Sequence, residues 1–371
     1  MKKVAIDARM LSSTSGIGRY IQQLTQHLQK IAPDSMEFIL FLREENWSEF
    51  EVDRENFRKV KADIDWYSLS EQTKFLKILN QYDLDLIHFP HWNIPVFYQG
   101  DFVVTMHDLI MFHFPRPEAT THGKIKYWFK DKIHRFVVKQ AVANSQYVIT
   151  PSKFTKKDVV DTFSVEQNKI KAIYEAPFTK KNQLEEPQYK LSVSNPFVFY
   201  VGSAYPHKNL KNLIKAWNKF KAKYKTDHQL ILAGEETYFY NQLKQTKAFQ
   251  QESIDHIGSI SDQKLNQFYS QAELFVYPSE YEGFGLPPLE ALQNNTPVLT
   301  SRKASLPEVL QEASFYSDVQ DTDKLAENIY QALMKNKKRN KKITKGNLLL
   351  DNYSWVKTAK QTLKVYQKQL S

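Results

Sequence analysis

The chain has 371 residues, 42% apolar and 25% charged, which excludes general disorder and fits two domains of ordinary size. Cysteine is absent, which excludes disulfides, thiolate-bound zinc and thiol nucleophiles, and a cytoplasmic setting is expected. A net charge of +10 points to anionic partners; no apolar run of about 18 residues offers a transmembrane helix, and Asp7 and Arg9 interrupt the apolar start, so no cleaved leader is expected.

In chain order, Val4–Ile6 reads as a buried strand, and Ile17, Tyr20, Ile21, Leu24, Leu28 and Ile31 follow at helical spacing. Phe38–Leu42, Leu84–His88 and Phe102–Met106 read as further strands. A long helix is expected over about 122–143, then a strand at Tyr147–Ile149. Residues 177–196 hold three prolines and no period, and read as a linker. The pattern then restarts with strands at Phe197–Val201, Leu230–Ala233, His256–Ile257, Leu274–Tyr277 and Val298–Leu299. Strands alternating with helices imply parallel sheets covered on both faces. The expected organisation is α/β: two Rossmann-like doubly wound domains, residues 1–176 and 197–354, facing a central cleft. A last helix over 355–371 is expected to return to the first domain.

Ligands of such sheets bind at the carboxyl ends of strands. Glycine is scarce, and seven of the ten, Gly16, Gly18, Gly202, Gly234, Gly258, Gly283 and Gly285, fall at or just beyond expected strand ends. The segment Pro278–Leu292 is the richest in chemistry. A strand ends, a glycine loop follows, and Pro287 and Pro288 stand where a helix can begin without losing needed N–H groups. The free N–H groups of such a helix start suit a diphosphate. Glu282 in the loop and Glu290, expected in the first helical turn, can accept sugar hydroxyls. The plainer alternative is a loop with Glu290 as helix N-terminal charge.

The E-G-F-G-L-P-x-x-E run resembles the E-x7-E signature of retaining glycosyltransferases of the GT-B fold, in particular glycosyltransferase family 4. Gly16-Ile17-Gly18, His107-Asp108, Thr150-Pro151-Ser152, Tyr200-Val201-Gly202, Pro206-His207-Lys208-Asn209-Leu210 and Leu306-Pro307-Glu308-Val309 resemble further family elements in the right order. The resemblance implies that Glu282 contacts the transferred sugar and Glu290 the donor ribose. It also implies that the backbone of Gly283, Phe284, Gly285 and Leu286 faces sugar and phosphates. Ile257 and Gly258 would sit by the base, and Gly16, Gly18, Gly202 and Ser203 would line the donor. Lys208 would meet the diphosphate charge, and His107 would position the donor sugar. The family arginine is missing: Ser203 and His207 stand at its usual places, and a protonated His207, Arg19 or Arg302 are the candidate substitutes.

His88-x-x-His91-Trp92 is read as an acceptor-side wall, with His91, Trp92 as a stacking face, and Asp108, rather than as a metal pair. The D-x-D pairs Asp63/Asp65, Asp83/Asp85 and Asp321/Asp323 are read as chance matches, and no metal or other cofactor is expected. Lys124, Lys126, Lys130, Lys132, Arg135 and Lys139 alternate with Trp128, Phe129 and Phe136 on one helix. That fits either a wet basic face or a contact with an anionic membrane. The basic run Lys335–Lys345 is read as a solvated helix end or an anionic contact. The expected function is metal-independent, retaining transfer of a hexosyl unit, mannose preferred, from a nucleotide-sugar to a saccharide or lipid-linked saccharide. No nucleic-acid module appears. The alternatives are a sugar-nucleotide epimerase, for which no acid/base set is found, and a non-catalytic subunit of the same fold.

Overall fold

The structure, a computed structural model, describes residues 1–12, 16–119, 123–178 and 196–371. Most of the expected linker therefore lies outside the described residues. The chain divides into two compact units. The first comprises Met1–Phe112, Thr120–Glu175 and Ser354–Ser371; the second comprises His113–Ala119 and Ala176–Tyr353.

The first unit carries seven strands: β1 (Lys2–Asp7), β2 (Met36–Leu42), β3 (Phe57–Lys61), β4 (Leu86–Phe89), β5 (Phe102–Thr105), β6 (Tyr147–Thr150) and β7 (Ile170–Ala172). All pair in parallel, in the order β3-β2-β1-β4-β5-β6-β7. The second unit carries six: β8 (Phe197–Val201), β9 (Gln229–Ala233), β10 (Ile254–His256), β11 (Leu274–Tyr277), β12 (Val298–Ser301) and β13 (Phe315–Ser317). These also pair in parallel, as β10-β9-β8-β11-β12-β13. Both sheets are doubly wound, as expected. The central strands are runs of Val, Ile, Leu and Phe because helices cover both faces.

Three strands escape the sequence reading: β3, β7 and β13. Each lies at a sheet edge and is only partly buried. An edge strand needs no continuous apolar run, so F-R-K-V-K, I-K-A and F-Y-S carry little signal.

The chain order reverses between β1 and β4 in one sheet and between β8 and β11 in the other. The carboxyl ends of these strands and the loops leaving them carry Asp7, Arg9 and His91 in the first unit, and His207, Lys208 and Glu282 in the second. These are the switch points at which open α/β sheets bind ligands. The last helix, Trp355–Leu370, packs within the first unit. Its Tyr366 hydroxyl lies 2.6 Å from Nδ1 of His88 on β4, and Thr358 donates to the Tyr174 carbonyl at 2.6 Å.

Candidate active site

The loop after β8 starts with a close backbone crossing. Gly202 N–H donates to the Ala233 carbonyl at 3.0 Å, and a Cβ at Gly234 would stand 2.2 Å from the Gly202 oxygen. Only glycine fits at 234, so the two loops can leave their strands side by side. The chain then makes one short turn, Pro206–Lys208, ended by Asn209 in the left-handed region, whose side chain donates to the Val319 carbonyl. This fixes Lys208. Its ammonium donates to Glu282 Oε1 at 2.6 Å and to the Tyr277 hydroxyl at 2.8 Å.

Glu282 comes from the β11 loop. Ser305 Oγ lies 2.9 Å from the Glu282 carbonyl and 3.0 Å from that of Phe284, and so pins the loop from beneath. Glu280 N–H donates to the His207 carbonyl at 2.7 Å, which ties the two loops together. Gly285 takes φ of 95°, where a side chain would strain the backbone and its Cβ would meet Leu306 at 2.8 Å. The helix Leu286–Gln293 starts at that point; Pro287 and Pro288 carry no N–H, so of its first three residues only Leu286 has a donor, one that the helix itself does not use. Glu290 is the fifth helical residue, so its carboxylate belongs to the second turn and not the first. It is buried and accepts a hydrogen bond from the Tyr269 hydroxyl at 3.0 Å. The structure thus brings together Lys208, Glu282 and, from outside the sequence reading, Tyr277. Ile257 and Gly258 end the neighbouring strand path, with Gly234 N–H donating to the Gly258 carbonyl.

The surroundings of His207 disfavour a charged ring. Its side chain is 1% exposed, next to the rings of Phe114 and Tyr205. Burial, with the charges of Lys208 and Arg116 nearby, pushes its pKa down to about 2. These surroundings disfavour the protonated ring that the sequence offers as one substitute for the family arginine. Arg302 stacks over Tyr316. The guanidinium near His207 is Arg116, 3.6 Å from the Tyr205 ring centre. It arrives on the segment His113–Ala119, which joins the second unit although its sequence lies inside the first half. No spacing rule could have found it.

In the first unit, His107 follows β5. Its Nδ1 lies 3.1 Å from Glu175 Oε1 and its Nε2 2.8 Å from the Pro90 carbonyl. A carboxylate and a carbonyl at the two nitrogens favour the doubly protonated ring. Burial opposes that charge, yet Glu175 and the Pro90 carbonyl overcome it and raise the pKa. The neighbouring wall rests on a buried ionic cluster. Arg9 pairs with Asp7 at 2.7 Å and Glu71 at 2.6 Å; Glu71 accepts from Asn93, and Asn93 Oδ1 lies 2.8 Å from His91 Nδ1. Burial holds the pKa of His91 down to about 3. Trp92 stacks on Tyr67 at 4.9 Å, and Tyr67 holds a positive φ of 60°. A bulky residue in that region carries strain that its surroundings must hold. Asp108 accepts from Ile110 N–H at 2.9 Å. Gly16 opens the helix Gly16–Ile31 and Gly18 lies in its first turn; a Cβ at Gly16 would meet nothing among the described residues.

A family profile described as Glycosyltransferase Family 4 matches residues 14–176, and one described as Glycosyl transferases group 1 matches residues 182–348. The chain belongs to this glycosyltransferase family. The O-antigen chain mannosyltransferase B of Escherichia coli is 26% identical over 95% of this chain and 96% of its own length. The O-antigen chain mannosyltransferase RfbU of Salmonella typhimurium is 27% identical over 73% of this chain and 70% of its own. Sucrose-phosphate synthase of Thermosynechococcus elongatus superposes with a TM-score of 0.74 at 20% identity, covering 99% of both chains. Anabaena HepE in complex with UDP and glucose gives 0.73 at 16% identity, again over 99% of both. The fold is GT-B, and the protein is a family 4 glycosyltransferase, a retaining hexosyltransferase.

The motifs set aside in this glycosyltransferase have structural partners. Asp65 pairs with Arg43 at 2.9 Å and Asp85 with Lys2 at 2.8 Å; Asp321 caps the helix Thr322–Met334, and Asp323 pairs with Lys219. His88 lies in the core between Tyr366 and Thr105, whereas His91 faces Asn93 and Tyr67, so the two do not act as a ligand pair. Among the described residues no helix is long and apolar enough to cross a membrane.

Proposed function

We propose that this glycosyltransferase moves a mannosyl unit from a nucleotide-sugar, GDP-mannose preferred, to a saccharide acceptor in surface polysaccharide synthesis. The second unit holds the donor and the first unit the acceptor. The observation that carries the donor half is the Lys208–Glu282 pair, 2.6 Å apart at the switch point of the second sheet. An ammonium has three N–H groups. Two of Lys208's go to Glu282 and Tyr277, and the third suits a donor phosphate oxygen. In the transfer, the bond from the anomeric carbon to the phosphate oxygen breaks, and the acceptor hydroxyl attacks the same face. The departing phosphate takes the acceptor proton. Charge grows on that phosphate, and Lys208 with the start of helix Leu286–Gln293 meets it without metal. Glu282 orients the sugar and holds the ammonium, and Glu290 holds the ribose.

Support for mannose comes from the relatives, two of them O-antigen mannosyltransferases, one matched along nearly its whole length. His107 is a positioning residue in this reading: a ring whose surroundings favour both protons orients the donor sugar and does not take the acceptor proton. The test is an assay of the purified protein with GDP-mannose, UDP-sugars and dTDP-sugars, each with and without excess EDTA. The expected result is GDP-mannose turnover with retained anomeric configuration and no loss in EDTA. Failure of every donor to turn over would favour the non-catalytic alternative. Manganese-dependent activity would overturn the metal-free step.

A further inference from the structure

The helix Gly123–Asn144 is apolar on two opposite sides. Its inward side packs Val138, Ala141 and Val142 into the core of the first unit. Its outward side presents Phe129, Ile133 and Phe136, exposed to 57%, 62% and 54%, with Trp128 exposed to 54%. At about 100° per residue, Phe129, Ile133 and Phe136 fall within roughly 60° of one another, opposite the buried side. Lys132 and Lys139 run along one border of this stripe, and Lys126 and Lys130 along the other, all exposed. Trp128 stands on the Lys132 border, with the Lys132 ammonium 5.7 Å from its ring. The one acid of the helix, Asp131, lies away from the stripe and is paired with Arg135 at 2.7 Å. A wet basic face does not need three large apolar side chains along its centre.

We infer that this helix docks the protein on an anionic lipid surface. Phe129, Ile133 and Phe136 enter the headgroup layer, and the four bordering lysines meet lipid phosphates. Long lysine stems lie along apolar material while their ammonium groups stay at the polar level. A stripe bordered by cations on both sides therefore suits a bilayer in a way that a protein groove of mixed charge does not. The occupant is fixed by charge: four exposed lysines, with no acid between them, select an anionic surface. The same helix turns His134 inward against Trp92, ring centres 4.4 Å apart, so the docking stripe and the acceptor wall share one element. That placement suits a lipid-linked saccharide acceptor. The docking itself does not rest on the transfer reaction.

The test is sedimentation of the full chain with phosphatidylglycerol-containing vesicles and with pure phosphatidylcholine vesicles, without any sugar donor. Binding to the anionic vesicles is expected, with loss at high salt and little binding to phosphatidylcholine. Phe129→Ser/Ile133→Ser/Phe136→Ser should cut vesicle binding about tenfold or more while leaving the melting temperature and nucleotide binding unchanged. Replacing Lys126, Lys130, Lys132 and Lys139 by Gln should abolish the preference for anionic lipid. A blue shift of tryptophan emission on adding vesicles, lost in Trp128→Phe, would place the stripe in the headgroup layer. Three results would overturn the inference: no binding to anionic vesicles at low salt, binding untouched by the triple substitution, or a dimer in solution that the triple substitution splits while vesicles bind neither form.

Discussion

His107 and His207 each lie in a loop after a parallel strand, one in each unit, yet their surroundings shift their pKa values in opposite directions. His107 faces two acceptors, Glu175 and the Pro90 carbonyl, and its pKa rises. His207 faces aromatic rings and two cations, its Nδ1 meets no partner among the described residues, and its pKa falls to about 2. Burial opposes the charge in both. The partner decides. The surroundings in the first unit therefore favour the imidazolium form of His107, while positive charge near the second unit's loop comes from Lys208 and Arg116.

The largest test of that contrast removes the cation the second unit uses. Lys208→Ala should lower kcat by about 10²–10³-fold, the cost of losing an electrostatic donor to developing charge. It should also cost some stability, because Glu282 loses its partner; Lys208→Arg should recover part of both. Normal turnover by a folded Lys208→Ala enzyme would break the donor-phosphate assignment.

Next is His207→Arg. A permanent cation forced into this site meets Lys208, Arg116 and two rings in place of a counter-charge, so unfolding stability should fall by about 3 kcal/mol. A more active, equally stable Arg variant would return His207 to the role the sequence suggested. The wild-type ring should also show no titration between pH 5 and 8 by NMR.

A third test reads the slope of stability with pH. His207 has a folded pKa below its unfolded value, so it contributes stability that is complete above about pH 6.5 and lost as pH falls toward about 2. His107 is the reverse: its contribution is complete below about pH 6.5 and lost as pH rises through its raised folded value. Glu175→Gln should flatten the alkaline limb of the melting curve and cost about 1–3 kcal/mol near pH 6. An unchanged alkaline limb would mean that Glu175 does not hold the charge. The smallest effect is expected from Tyr269→Phe, which removes one hydrogen bond to Glu290. It should weaken nucleotide binding by about 1 kcal/mol by calorimetry, and no change would separate Glu290's orientation from Tyr269.

The sequence carries the central strands, the restart of the pattern near residue 197 and the Glu282 loop, because buried parallel strands and glycine turns leave strong local marks. It does not carry the edge strands β3, β7 and β13, whose exposed sides hide the period. Nor does it carry pairs made over long separations. Glu175 reaches His107 across 68 positions, Glu71 reaches Arg9 across 62, and Arg116 comes to Tyr205 on a segment that leaves its own half. The surroundings of His207 are hidden from the sequence for the same reason: Phe114 and Arg116 are distant in the chain.

In the proposed function, the loops after β8 and β11 hold the nucleotide-sugar. The direct measurement is calorimetric titration of GDP, UDP and dTDP into wild-type protein and Glu290→Ala. At least one nucleotide, GDP first, should bind the wild type, and Glu290→Ala should weaken it by about 1.5–3 kcal/mol, the loss of charge-assisted hydrogen bonds to the ribose. Equal affinity in the two proteins, or no binding of any nucleotide to the wild type, would contradict it.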